Sequence, residues 1–288
     1  MTATRREFIQ IGGAGLGAAA LGSGLTTKWW GLDPDVVAVA SFYPDWFTIG
    51  EGLGNFLAYG DYPAGNVNDA AGFFLPRGVI VDRDLSAVGP VAQENVTEFV
   101  THSWYEYDNG DDAALHPYIG QTNPRYSGPK PPYDFLDTDA KYSWLKAPRY
   151  DGRPMEVGPL ARMLVAYVSG HERVRALVDD TLGALGAEPE ALFSTLGRVA
   201  ARAIETQVVV EQLDGWLDAL SDNLGRGELR IHENARWDPG SWPKEAMGFG
   251  SHEAPRGALA HWIDIEDKKI KNYQAVVPTT WNAGPRDA

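Results

Sequence analysis

From Glu188–Pro189 to about Leu224, apolar residues return every three or four positions: Leu192, Leu196, Val199, Ala203, Val210, Leu213, Leu217 and Leu220. A period near 3.6 places all of them on one face of a helix. A face that long must be covered by other apolar surface, so the stripe predicts the core of a helical bundle. Two shorter segments precede it. Pro159 suits a first helical position, and Leu160, Met163, Leu164, Tyr167 and Val168 follow at helical spacing. Ser169 and Gly170 interrupt the run, and His171 to Leu182 resumes it with Val174, Leu177, Val178 and Leu182 on one side. Core packing explains each stripe without a cofactor.

The flanking regions have another character. Residues 26–140 are rich in Gly, Pro, Asn and aromatics, and GVIVDRDLSAV (78–88) is their best strand candidate. The stretch HPYIGQTNPRYSGPKPPYDF (116–135) holds five prolines and three tyrosines. It cannot form a long helix and reads as an ordered loop pinned by its aromatics. HWIDIEDKKIKNYQAVV (261–277) alternates apolar and polar residues around a polar centre, the pattern of a β-hairpin. With Asp267 and Lys268 as a two-residue turn, the numbers of paired residues sum to 535, which brings Arg256 and Thr279 toward the same end. Arg256 lies between Pro255 and Gly257 in EAPRG, the punctuation of a turn that mounts a cation stiffly. The fold class expected is α+β, with a helical bundle core, Gly/Pro-rich loops and a C-terminal β-hairpin. Its parts are a leader over 1–30, a loop-rich part over 31–140, helices over 141–225 and the hairpin part over 226–288.

Composition removes several functions. The chain has no cysteine, which excludes disulfides, thiolate metal sites and cysteine nucleophiles within it. A net charge of −14 makes nucleic acid and anionic lipid poor partners. Arg5 and Arg6 precede Phe8, Ile9 and a run rich in glycine and alanine. This is the layout of a twin-arginine export signal. The run is too short and glycine-rich for a membrane span. GGAGLG could also open a dinucleotide-binding loop, but that reading needs a preceding strand, and the N-terminal position favours the signal. The expected location is the periplasm or the outer face of the cytoplasmic membrane, with membrane contact only indirect.

Six blocks occurring in order carry a resemblance: THSWYEY (101–107), GPKPPYDFLD (128–137), YSWLKAPRYDGRPMEVGPLARMLVAY (142–167), STLGRVAARAIE (194–205), EAPRGALAHW (253–262) and NYQAVVPTTWNAGPRD (272–287). Together the chain from about residue 37 resembles the large subunit of nickel–iron uptake hydrogenases. The resemblance implies an enzyme that interconverts hydrogen with protons and electrons. It also implies a nickel–iron centre carrying cyanide and carbon monoxide, a magnesium ion, and an iron–sulfur small subunit as partner.

By the same resemblance, Arg256 holds an anionic cyanide ligand beside the metals, which suits a rigid guanidinium with five donors. Pro255 stiffens its mount. Thr279, after Pro278, donates its hydroxyl to the other cyanide. The carbonyl of Ala275 corresponds to a magnesium ligand. Glu156 belongs to a surrounding network, or is simply a carboxylate near a helix start.

The departures matter as much. The family binds nickel through two CxxC pairs, and neither is present; the glutamate and histidine used for magnesium are missing too. The sequence as written is therefore expected not to assemble the metal centre by itself. It reads as an incomplete reading frame, a non-catalytic remnant, or a split large subunit completed by another chain. Lys268 also replaces the glycine usual at the hairpin turn.

Overall fold

The computed structural model describes residues 42–65, 69–128 and 137–286. The twin-arginine segment, and most of the proline-rich 128–137 block, lie outside the described residues. The chain divides into two compact units, one combining residues up to Glu51 with His171–His232, the other combining Gly52–Gly170 with Glu233–Ala288.

Among the described residues, eleven short or medium strands build most of the second unit: β1 Phe56–Ala58, β2 Asp61–Pro63, β3 Phe73–Leu75, β4 Gly78–Ile80, β5 Val96–Phe99, β6 Tyr105–Tyr107, β7 Thr122–Pro124, β8 Ala147–Tyr150, β9 Glu245–Ala254, β10 Gly257–Glu266 and β11 Lys269–Val276. Pairs β1–β4, β2–β3, β5–β8 and β6–β7 are two-stranded, and β9, β10 and β11 form an antiparallel sheet with β10 central. Two helices complete this unit: α1 Pro159–Val168, with Pro159 in its first turn, and, at the C-terminal end, a short helix at Pro278–Ala283. Residues Pro159 through Ala166 are all buried, so α1 is apolar nearly all round. It stops at Ser169 as its sequence predicts, and Gly170 follows at φ 87°.

Among the described residues the other unit holds two α-helices, α2 at Glu172–Leu185 and α3 at Thr195–Gly225; the short helix at Pro278–Ala283 is therefore α4. His171 caps α2 by accepting from the Val174 N–H at 3.3 Å, and Gly186 closes it in the left-handed region at φ 59°. The long periodic run is not one helix. A 3-10 turn at Pro189–Phe193 ends at Ser194, whose hydroxyl accepts from the Gly197 N–H at 3.0 Å and starts α3 afresh. Gly197 permits the break: a Cβ there would lie 2.1 Å from the Leu192 carbonyl oxygen.

Of the stripe predicted along α3, Ala203 is buried, whereas Val199 near its start and Leu217 and Leu220 near its end are 41–54% exposed; the buried face runs through Ala201, Ile204 and Val208 instead. Among the described residues this stripe is therefore not shown to be the core of a helical bundle. A cluster of buried apolar residues lies in the strand-built unit: Leu57, Tyr59, Val79, Val96, Tyr150, Met155, Val157, Ala258, Ala260, Trp262, Val276 and Trp281.

The C-terminal hairpin forms with the predicted turn. Glu266 pairs with Lys269, and Asp267 and Lys268 take φ of 50° and 63°, the left-handed pair of a two-residue hairpin turn. A bulge between Asp264 and Ile265 then shifts the register by one, so that Asp264 faces Asn272 and pairing ends at Ala260 opposite Val276. Arg256 and Thr279 both lie beyond the paired part. The third strand, β9, is an addition that the sequence pattern does not predict. It pairs along the whole of β10, from Ala254 opposite Gly257 to Glu245 opposite Glu266.

The 116–128 stretch is pinned as its aromatics imply. Tyr118 packs on the core, β7 pairs with β6, and Tyr126 stacks on Trp144 at 5.8 Å and meets Trp104 edge-on at 4.8 Å.

Candidate functional site

Pro255 and Arg256 form the two-residue connection between β9 and β10. Proline fixes its own φ and limits the conformations of the turn. The next residue, Gly257, has φ 133°, and a Cβ on it would lie 2.6 Å from the Gly158 nitrogen and from Val157. Gly158, at φ 123°, is equally confined: its Cβ would fall 2.9 Å from the Arg256 carbonyl oxygen. Backbone therefore meets backbone behind the turn, and only glycine fits either position.

One side chain grips the turn from α1. The Arg162 guanidinium donates to the Glu253 carboxylate at 2.7 Å, to the Ala254 carbonyl at 3.1 Å and to the Pro255 carbonyl at 3.3 Å. The other oxygen of Glu253 accepts the Tyr59 N–H at 2.6 Å. Both charged side chains are essentially out of solvent, 3% exposed for Arg162 and 1% for Glu253. Burial pushes the Glu253 carboxyl up to about 7, although the Arg162 guanidinium pulls the other way. Burial, reinforced by Glu253, likewise raises the Tyr59 hydroxyl. Arg256 itself is exposed, and among the described residues its guanidinium meets no hydrogen-bond or ionic partner.

The other sequence-selected residues fall around this turn. Glu156 lies beside β1, bridged through backbone to Phe56, with its N–H on the Asn55 carbonyl at 2.7 Å. Val157, which packs on Gly257, is held at both backbone atoms by Asn282 of α4: its N–H donates to Oδ1 at 3.0 Å, and Nδ2 donates to its carbonyl at 2.9 Å. Pro278 is buried in the first turn of α4, and Thr279 follows with its side chain exposed. The turn with Arg256 and the helix with Thr279 thus meet a common strap, Glu156–Gly158. Their direct pairing, the stricter form of the sequence argument, does not occur.

Ala275 sits in β11 opposite His261. Its neighbour Gln274 belongs to a buried polar chain that the sequence pattern leaves hidden. Lys146 Nζ donates to Gln274 Oε1 at 2.9 Å and pairs with Glu98, while Gln274 Nε2 donates to Asn272 Oδ1 at 2.9 Å. Burial raises the Glu98 carboxyl, and its Oε1 has no hydrogen-bond partner among the described residues.

Arg162, Glu253, Glu98 and Lys146 are the residues that sequence reasoning missed. The signal available was a charge inside an apolar run, as in PLARMLVAYV (159–168). Among the described residues no group of three or more His, Cys, Asp or Glu is placed to hold a metal ion.

Comparison with known proteins gives one answer. The family model described as nickel-dependent hydrogenase matches residues 31–288. The uptake hydrogenase large subunit of Bradyrhizobium diazoefficiens is 49% identical over 267 residues, covering 88% of this chain and 44% of that protein. The hydrogenase-1 large chain of Escherichia coli is 42% identical over 265 residues, again covering 88% of this chain and 44% of that one. Among solved structures, the Ni-Fe-Se hydrogenase from Desulfomicrobium baculatum superimposes with a TM-score of 0.62 at 32% identity, over 88% of this chain and 47% of that chain. The chain therefore spans about half the length of the proteins it matches.

Proposed function

The chain belongs to the nickel-dependent hydrogenase family, and on that premise we propose that it supplies part of a large subunit serving an enzyme that interconverts hydrogen with protons and electrons. The observation that carries this reading is the 49% identity to an uptake hydrogenase large subunit over nearly the whole chain. In this reading Arg256, stiffened by Pro255, offers donors to an anionic ligand of the metal centre. The exposed Thr279 hydroxyl, set by Pro278 at the start of α4, offers another. Glu156 supports the strap between them, and the Ala275 carbonyl serves a magnesium ion. The partner is an iron–sulfur small subunit, and the twin arginines direct export across the cytoplasmic membrane. The exposed apolar residues of α3 are the part of a helical bundle that the remainder of a large subunit covers.

The metal centre itself does not fit the residues present. A soft nickel–iron pair requires thiolates, and the sequence contains no cysteine. Arg256 has donors and no lone pair to offer a cation, and the Thr279 hydroxyl is a hard oxygen, not the soft thiolate that such a pair requires. No chemical step is assigned to this chain alone, and its contribution is to shape and charge one wall of the site. A second reading is a non-catalytic remnant that still binds the small subunit.

Metal analysis and a hydrogen-dependent viologen assay separate the readings. The purified chain is expected to carry neither nickel nor iron in stoichiometry and to reduce no dye. Stoichiometric nickel and iron would overturn the claim that its residues do not fit the centre. Capture of an iron–sulfur partner without dye reduction selects the second reading; dye reduction only with a further large-subunit polypeptide selects the first.

A further inference from the structure

The buried Arg162–Glu253 pair invites a question of purpose. A buried ion pair is weak support for stability, because removing two charges from water offsets much of their attraction. This pair also does something that an apolar replacement could not. Arg162 spends donors on two consecutive backbone carbonyls, Ala254 at 3.1 Å and Pro255 at 3.3 Å, at the point where β9 turns. Glu253 aims that guanidinium and is itself anchored through the Tyr59 N–H. The turn is thus held from the α1 side by a planar, multi-donor group and backed by Gly158, where even a Cβ would fall 2.9 Å from the Arg256 carbonyl oxygen.

We propose that Arg162 is a positioning residue: by binding the carbonyls of Ala254 and Pro255, with Glu253 orienting it, it fixes the direction in which the Arg256 side chain leaves the turn. The inference rests on the proposed role of Arg256, because an unsupported guanidinium on an exposed turn would sweep many orientations. A guanidinium has the shape for this task. Its fork reaches a carboxylate and two carbonyls at once, which an ammonium, a point charge, cannot do.

The test uses the full 288-residue chain without metals, so its outcome does not depend on whether nickel and iron bind. Arg162→Met alone strands Glu253 in the interior and is expected to lower stability throughout. The informative variant is Arg162→Met combined with Glu253→Gln, which removes both buried charges together and retains an acceptor for the Tyr59 N–H. Amide hydrogen exchange is followed at Gly257, which pairs with Ala254 across the turn, and, as reference, at Ala260 and Trp262 in the middle of β10. Positioning predicts at least ~10-fold faster exchange at Gly257 with Ala260 and Trp262 unchanged. Arg162→Lys is expected to fall between parent and double variant. Two results overturn the proposal: a Gly257 amide as slow as in the parent, or acceleration of the same size along the whole of β10, which is the mark of a merely structural pair. Failure of the hydrogenase reading would show in the metal and dye assays and would leave this exchange pattern untouched.

Discussion

Glu253 shows how one carboxyl can make the whole chain sensitive to pH. In the unfolded chain it titrates near 4.5; in the folded protein burial lifts it to about 7. Between those values the native state keeps a proton that the unfolded state has released. Its contribution to stability is therefore full below about pH 4.5 and is lost as pH rises to about 7, an effect on the order of 3 kcal/mol. Urea denaturation at a series of pH values should show this decline, and Glu253→Gln should flatten it; an equal slope in the variant would assign the decline to other groups. Local chemistry made part of this site legible in the sequence. Proline, arginine and glycine in succession announce a turn because each acts on its own backbone. The clamp was not legible, because Arg162 and Glu253 are 91 residues apart and nothing within either segment names the other.

Among the elements, the helices were the readable part and the sheet was half hidden. A 3.6 period survives in sequence whatever the tertiary setting, so the starts of α1 and α2 and the stop at Ser169 were all visible. The break at Ser194 was not, because an N-cap inside an unbroken stripe leaves the period intact. Strand β9 escaped because Gly248 and Gly250 dilute its pattern. What orders it is its partner, β10. Two consequences can be measured. Lys268 holds a left-handed conformation at φ 63°, so Lys268→Gly should raise the unfolding free energy by ~0.5–1 kcal/mol in denaturant titration. A neutral or negative change would show that the hairpin turn carries no strain. Along α3, Ile204→Ala removes buried volume and should cost ~2–4 kcal/mol, while Leu220→Ala, at 54% exposure, should stay within ~0.5 kcal/mol. Equal costs would mean that Leu220 is covered in solution.

Across the whole molecule, the sequence said which surfaces are apolar but not what covers them. That is why a bundle core was expected where α3 shows leucines to water, and why the strand-built core around Trp262 and Trp281 had to come from the structure. Periodicity is a property of one element, whereas burial is a relation between several, and the proteins this chain matches are about twice as long. Gly158 and Gly257, which meet behind the turn, belong to segments far apart in sequence, yet each forbids a side chain on the other's doorstep. Neither position can change alone without moving a main chain, and a change at both at once would have to carve new space. The arginine's mount is thus locked from two distant parts of the chain, and a side chain introduced at either would disturb it from its own side.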